Sequence, residues 1–331
     1  MGCAGGMRAL DEDTLIYEAL AALPAIFGVR ITESIVVMAF RTEGRAAWLG
    51  PAFRMDLEAI EAPDQLRVHL AQLQVNGMDG ALVLILGQEP PHLREFMFKM
   101  RAGWPFTYHG GYAVQGQDAI ELYSAHGHYR GRRDPLELLG TKAAQLLVDQ
   151  PVRDSESQMR LVRDPKDEPA FLLAYRKRPN LRRLTGLVTH WAAGDSLDAA
   201  TAGAFLAAMR NLVWRDGLMF WPECGPAHPS DFSKVFPDEP LGRRPDDARL
   251  ARVAGVMHEV ARLCPEGMAA PPLAICAYHA WYAGDGLRAR VLAAQGLEED
   301  ENYSLLRLVD EGLILGARPP WVDGGDQRLV V

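Results

Sequence analysis

Up to Tyr123 the apolar positions switch repeatedly between a helical period and short strand-like runs. Leu15, Ile16, Leu20, Leu23 and Phe27 recur at helical spacing, and Asp11, Glu12 and Asp13 stand at the positive end of the dipole such a helix would have, which predicts a helix over 11–27. Ser34 to Phe40 is short, apolar and rich in β-branched residues, as a buried strand is. Residues 48–55 can return against it through the Thr42-Glu43-Gly44-Arg45 turn. A second helix is expected from Pro63 through Leu66, Leu70 and Leu73 to Gly77, and a third from Pro90-Pro91 through Leu93, Phe96, Met97 and Met100. Between them lies Ala81 to Gly87, apolar up to Leu86, the composition of a strand covered on both faces. A hairpin of Tyr112–Gln115 with Ala119–Tyr123 around Gly116-Gln117-Asp118 completes an α/β domain with a mixed sheet and flanking helices.

Beyond Tyr123 the strand signal fades. Residues 136–148, 167–176, 180–191, 197–213 and 246–263 space their apolar side chains by three and four, which predicts helices. Six prolines fall within 220–245, the mark of a packed surface loop or an interdomain connection. Pro271-Pro272 then opens the closing helices. The expected organisation is an α/β domain over 8–130, an all-helical domain over 131–320 and a flexible tail over 321–331.

The stretch Gly284-Asp-Gly286-Leu-Arg-Ala289 spells Gly-x-Gly-x-x-Ala, the fingerprint of a dinucleotide cradle. That fingerprint works only between a strand and a helix, and residues 273–283 have helical spacing. The corner is therefore expected to join an αα-hairpin, its glycines supplying φ > 0 and Ala289 and Ala293 allowing close approach. One tetratricopeptide-like unit is visible there, without a second clear copy.

Composition narrows the class. The chain has 331 residues, 48% apolar and 24% charged, so it is an ordinary globular protein able to bury a substantial core. Cys3, Cys224, Cys264 and Cys276 form no Cys-x-x-Cys pair, which suits reduced thiols in the cytoplasm. No apolar run is long enough for a bilayer, and Met1-Gly2-Cys3 is followed by Gly6 where a lipidation signal wants Ser or Thr. A net charge of −8 argues against general nucleic-acid binding. Its distribution is uneven: 13 Lys and Arg against 8 Asp and Glu in 130–183, and 4 against 9 in 285–326. Such a division can steer an acidic partner or promote head-to-tail self-contact, but solvated helix faces produce the same counts and are the expected explanation.

The candidate chemical motifs are incomplete. Gly194-Asp195-Ser196-Leu197 spells the GDSL esterase motif but follows helical spacing and has no later Asp-x-x-His, so Asp195 or Ser196 is expected to cap a helix. His126-Gly-His128, with His109, Asp118 and Glu121, offers imidazoles and carboxylates at a hairpin end. Cys224 with His228 lacks a second ligand pair, and His258-Glu259 lacks the second His of a zinc-protease helix. Tyr129-Arg130-Gly-Arg132-Arg133 and Tyr175-Arg-Lys-Arg178 have the aromatic-basic composition that holds phosphates and stacks bases. Gly140-Thr141-Lys142 lacks the earlier glycine of a Walker loop. No catalytic residue, metal or cofactor is assigned.

Leu20-Ala-Ala-Leu-Pro-Ala-Ile-Phe-Gly28 followed by Thr32-Glu-Ser-Ile-Val-Val37, then Trp214-Arg-Asp216, Ala270 to Trp281, Gly284-Asp-Gly286 and Tyr303 to Leu308, resemble an actinobacterial family catalogued as domain of unknown function 4192. The resemblance spans Leu10 to Pro320 and is most specific at the C-terminal end. Its loop after Tyr123 departs from the family's pattern in having no cysteine, which removes the basis for a metal or redox role there. The family implies a fold but no activity.

The leading functional expectation is a non-catalytic module that recognises a protein partner or itself, with Trp281, Tyr282, Asp285 and Arg288 on the interaction surface and exposed apolar side chains on the closing helices as its mark. The alternative is an enzyme or receptor for a small anionic ligand beyond the C-terminal strand ends, near Gly87, Gln88 and the helix starting at Pro91. There His109, His126, His128 and Arg130 would converge.

Overall fold

The computed structural model describes residues 12–27, 31–43, 46–57, 78, 80–87, 108–115, 120–123, 129–133, 156–235, 243–315 and 317–322. Two compact units divide the chain: Met1–Ser155 with Asp326–Val331, and Glu156–Gly325.

The first unit carries helix α1 (Glu12–Phe27) and strands β1 (Ser34–Glu43), β2 (Ala46–Asp56), β3 (Gly80–Leu86), β4 (Tyr108–Gln115), β5 (Ile120–Tyr123) and β6 (Tyr129–Arg133). They form one sheet in the order β2-β1-β3-β4-β5-β6. The pair β3 and β4 is parallel and all the others are antiparallel, so the sheet is mixed. Ile35 to Phe40 of β1 and every residue of β3 are buried, which explains why these runs are apolar without alternation. Pro51, which has no N–H to donate, lies in edge strand β2 opposite the register shift between Met38 and Phe40, where a ladder bond is not required of it. From α1, Ile16, Ala19, Leu20, Leu23 and Phe27 are buried.

Strand β6 is a correction. The strand signal fades beyond Tyr123 in the sequence, yet Tyr129 to Arg133 pairs antiparallel with β5 and forms the other edge of the sheet. The helices expected over 63–77, 90–100 and 136–148 lie outside the described residues.

In the second unit every described element is helical. After a 3₁₀ turn at Glu156–Met159 come α2 (Glu168–Tyr175), α3 (Leu181–Thr189), α4 (Ala199–Ala208), α5 (Leu212–Cys224), a 3₁₀ turn at Phe232–Lys234, α6 (Asp247–Leu263), α7 (Ala270–Tyr282), α8 (Gly286–Glu299), α9 (Ser304–Ile314) and a 3₁₀ turn at Pro320–Val322. Packing is largely pairwise, α2 on α4, α6 on α7, α7 on α8 and α8 on α9. Asp167, Asn180, Asp198, Asn211, Asp246 and Asp285 each accept a backbone N–H three residues on, so a side-chain oxygen marks six of the helix starts. The core gathers Phe171, Phe205, Trp214, Trp221 and Phe232, with the Trp214 indole donating to Thr185 Oγ1 at 3.2 Å.

Three expectations change here. Residues 197–213 are two helices, because Asn211 caps a new start at Leu212. The proline-rich stretch begins inside α5, which continues through Pro222 to Cys224. Neither Asp195 nor Ser196 caps α4: Asp195 accepts from Ala192 N at 2.8 Å in a turn, and Asp198 is the cap.

At the glycine corner α7 runs to Tyr282, Gly284 turns with φ +90°, and α8 begins at Gly286 under the Asp285 cap. Ala289 and Ala293 are fully buried. A helix enters this corner where a dinucleotide fingerprint needs a strand, so the corner is that of a helical hairpin.

Candidate functional site

Three features of the helical unit carry polar or exposed chemistry. The first is buried. α5 delivers Glu223 and α7 delivers Tyr278, His279 and Tyr282 to one seam, since Tyr282 is three and four residues from the other two and neighbours both on the helix. Tyr278 donates to Glu223 Oε1 at 2.7 Å, and His279 Nε2 lies 2.9 Å from Met219 O on the preceding turn of α5. Tyr282 donates to Arg243 O at 3.1 Å and stacks on Tyr278 with ring centroids 5.8 Å apart. Burial pushes the Glu223 carboxyl up to about 7, opposed by the Tyr278 hydrogen bond, and pushes the His279 imidazole down to about 4. Both phenols are raised by the same burial. Glu223 Oε2 and His279 Nδ1 are buried without a hydrogen-bond partner. The seam was not singled out from sequence, because Glu223 and His279 are far apart in the chain.

The second feature is an extended strap along α8. Gln295 accepts from Leu161 N at 2.9 Å and donates to Leu161 O at 2.7 Å, pairing with that residue's backbone as a neighbouring strand would. Arg160 holds both oxygens of Glu298, and Arg163 lies 2.9 Å from Glu299. Asp164 donates its N–H to Arg262 O at 2.8 Å and pairs with the Arg262 side chain at 3.2 Å. Hydrogen bonding to Arg160 holds the Glu298 carboxyl below the usual range. The basic middle and acidic end of the sequence thus meet within one unit.

The third is α9. Leu305, Leu306 and Val309 are buried, while Leu308, Ile314 and Leu315, at its end, are 66%, 60% and 55% exposed.

Of the residues expected around an anionic ligand, the described ones, Gly87, His109 and Arg130, lie apart on the sheet. His109 pairs with Ala81 at the start of β3, so the register puts it roughly 20 Å along the strand from Gly87. Arg130 is on β6, two strands beyond β4. A Cβ on Gly87 would fall 2.7 Å from Glu33 Oε1, so the nearest carboxylate has the wrong sign for an anion. Gln88, His126 and His128 lie outside the described residues. Among the described residues no group of three or more His, Cys, Asp or Glu could hold a metal.

The four surface candidates at the hairpin are largely engaged within the chain. Tyr282 is 1% exposed and therefore not on the surface, which corrects its assignment. Half-buried Trp281 donates its indole N–H to Ala317 O at 2.8 Å, and the Trp321 indole donates to Tyr282 O at 2.7 Å, fastening the 3₁₀ turn at Pro320–Val322 to α7. Asp285 is spent on its cap, and Arg288 lies 3.2 Å from His258 Nε2. Arg210 covers the Tyr175 ring at 4.5 Å, occupying one face on which a base would stack.

A family model described as "Domain of unknown function (DUF4192)" matches residues 17–103 and 128–320. The chain belongs to the DUF4192 family. No curated protein and no solved structure matches it. The second matched stretch takes in the strap, the α5–α7 seam and α9, so all three features fall within the DUF4192 segment.

Proposed function

We propose that this DUF4192 protein is a non-catalytic module that recognises a protein partner or a second copy of itself through its closing helices. The observation that carries the reading is the outward side of α9. Leu308 and Leu315 are seven residues apart, hence on one side of the helix, and both are exposed while the opposite side is buried. Leucines spaced in this way, beside the Arg307–Glu311 pair, are the anchors by which one amphipathic helix packs on another. The buried seam supports the same reading, since Tyr278, His279 and Tyr282 hold helices together below the surface. Among the described residues no helix is long and apolar enough to cross a membrane.

The test is molar mass by light scattering across a concentration series, together with recovery of bound protein from the native host. The expected result is a mass above that of one chain or a stoichiometric partner, either of them lost in Leu308→Glu/Leu315→Glu while the helical circular dichroism is unchanged. A chain that stays monomeric and binds no protein dependent on these leucines overturns the reading.

A further inference from the structure

We propose that the face of α8 bearing Gln295, Glu298 and Glu299 is a receptor site for an extended, arginine-bearing peptide of a partner protein, closed in the free chain by its own residues 160–164. The proposal rests on the interaction-module reading and names the partner's chemistry. Gln295 uses its carboxamide on the N–H and the C=O of a single residue, a contact any extended backbone can make whatever its side chain. Specificity then falls to the flanks: Glu298 takes the arginine immediately before that residue, and Glu299 takes the arginine two residues after it. Glu299 is itself oriented, because its Oε2 accepts Gly267 N at 2.8 Å. The ligand pattern is therefore Arg-apolar-x-Arg, as in Arg160-Leu161-Val162-Arg163.

The strap is held unevenly: Arg163 on largely buried Glu299 and Asp164 on Arg262 anchor its end, and its start is held loosely. Val162 is 79% exposed, and the Arg160 and Glu298 side chains are 42% and 58% exposed, in the range where ion pairs contribute little. Its apolar anchoring is confined to buried Met159 and half-buried Leu161. Such contacts suffice in cis because the segment is covalently tethered to the unit it docks on, which gives it a high effective concentration. A partner carrying the same pattern, or a change that removes the strap's charge, exchanges one ligand for the other without new geometry.

Two full-length variants open the site from opposite sides. In Arg160→Glu/Arg163→Glu the strap is repelled and the receptor residues are untouched; in Glu298→Arg the receptor charge is inverted. The probes are fluorescent peptides of residues 156–167, wild type or with Arg160→Glu, read by anisotropy. The strap variant is expected to bind the wild-type peptide, and the Glu298→Arg chain to prefer the Arg160→Glu peptide by about tenfold. Gln295→Ala added to either variant should abolish binding. Binding of neither peptide to either variant, or binding indifferent to the charge exchange, overturns the proposal. Leu308→Glu/Leu315→Glu leaves the peptide titrations unchanged, so a failure here is separate from a failure of the α9 reading.

Discussion

At the scale of single residues, Glu223 and His279 make stability respond to pH in opposite directions. The Glu223 carboxyl is pushed up to about 7, so the folded chain holds its proton where the unfolded chain has released it, and stability falls as pH rises from the ordinary carboxylate range through about 7. The His279 imidazole is pushed down to about 4, so its contribution is complete above the ordinary histidine range and is lost as pH falls toward about 4. Between those ranges the slopes oppose one another. Glu223→Gln keeps an oxygen for Tyr278 and removes one slope. Its melting temperature should rise from about pH 4 to 6.5 and then stay level, with a gain over wild type above pH 8 of up to about 3 kcal/mol, read by thermal melts across pH. A variant less stable than wild type at pH 8 would show that Glu223 is not buried against a desolvation cost.

At the scale of elements, the helix starts were legible and the helix breaks were not. Asp167, Asn180 and Asp246 cap helices at the boundaries expected from sequence, because a side-chain oxygen reaching an N–H three residues on is a local event. Asn211 was hidden inside a continuous apolar spacing, and the break there follows the packing of Trp214 against Phe205 and Phe232. Strand β6 was hidden for the complementary reason: its Arg-rich sequence has no apolar alternation, and pairing with β5 alone makes it a strand. The hairpin corner was legible because glycine and a capping aspartate act locally. Asp285→Ala should cost about 1 kcal/mol of stability in denaturant titration by exposing the Arg288 N–H. Gly284→Ala should cost about as much through its positive φ.

At the scale of the whole molecule, the helical unit has its own core. The buried cluster from Phe171 to Val309 is drawn wholly from residues after Glu156. A fragment of residues 156–322 is therefore expected to fold alone, giving a helical spectrum and one cooperative thermal transition; a molten fragment would show that the core needs the rest of the chain. The charge division along the sequence also resolves at this scale. Sequence alone reads it first as solvated helix faces and second as a means of steering a partner or of self-contact, and part of it closes within the unit through Arg160–Glu298 and Arg163–Glu299. Sequence separations of 136 and 138 residues put that pairing beyond any local pattern.

Hydrophobic period, capping residues and the glycine corner, all acting within a few residues, determined by themselves α1 and the apolar strands β1 and β3, the helical character of the second unit and the terminal hairpin. The tertiary structure alone decided which of these elements meet. It separated His109 from Gly87 by strand register, brought Glu223 onto Tyr278, laid Leu161 along Gln295 and left Leu308 facing outward. Each of those outcomes is set by the free energy of packing between segments distant in the chain, which no window of sequence contains.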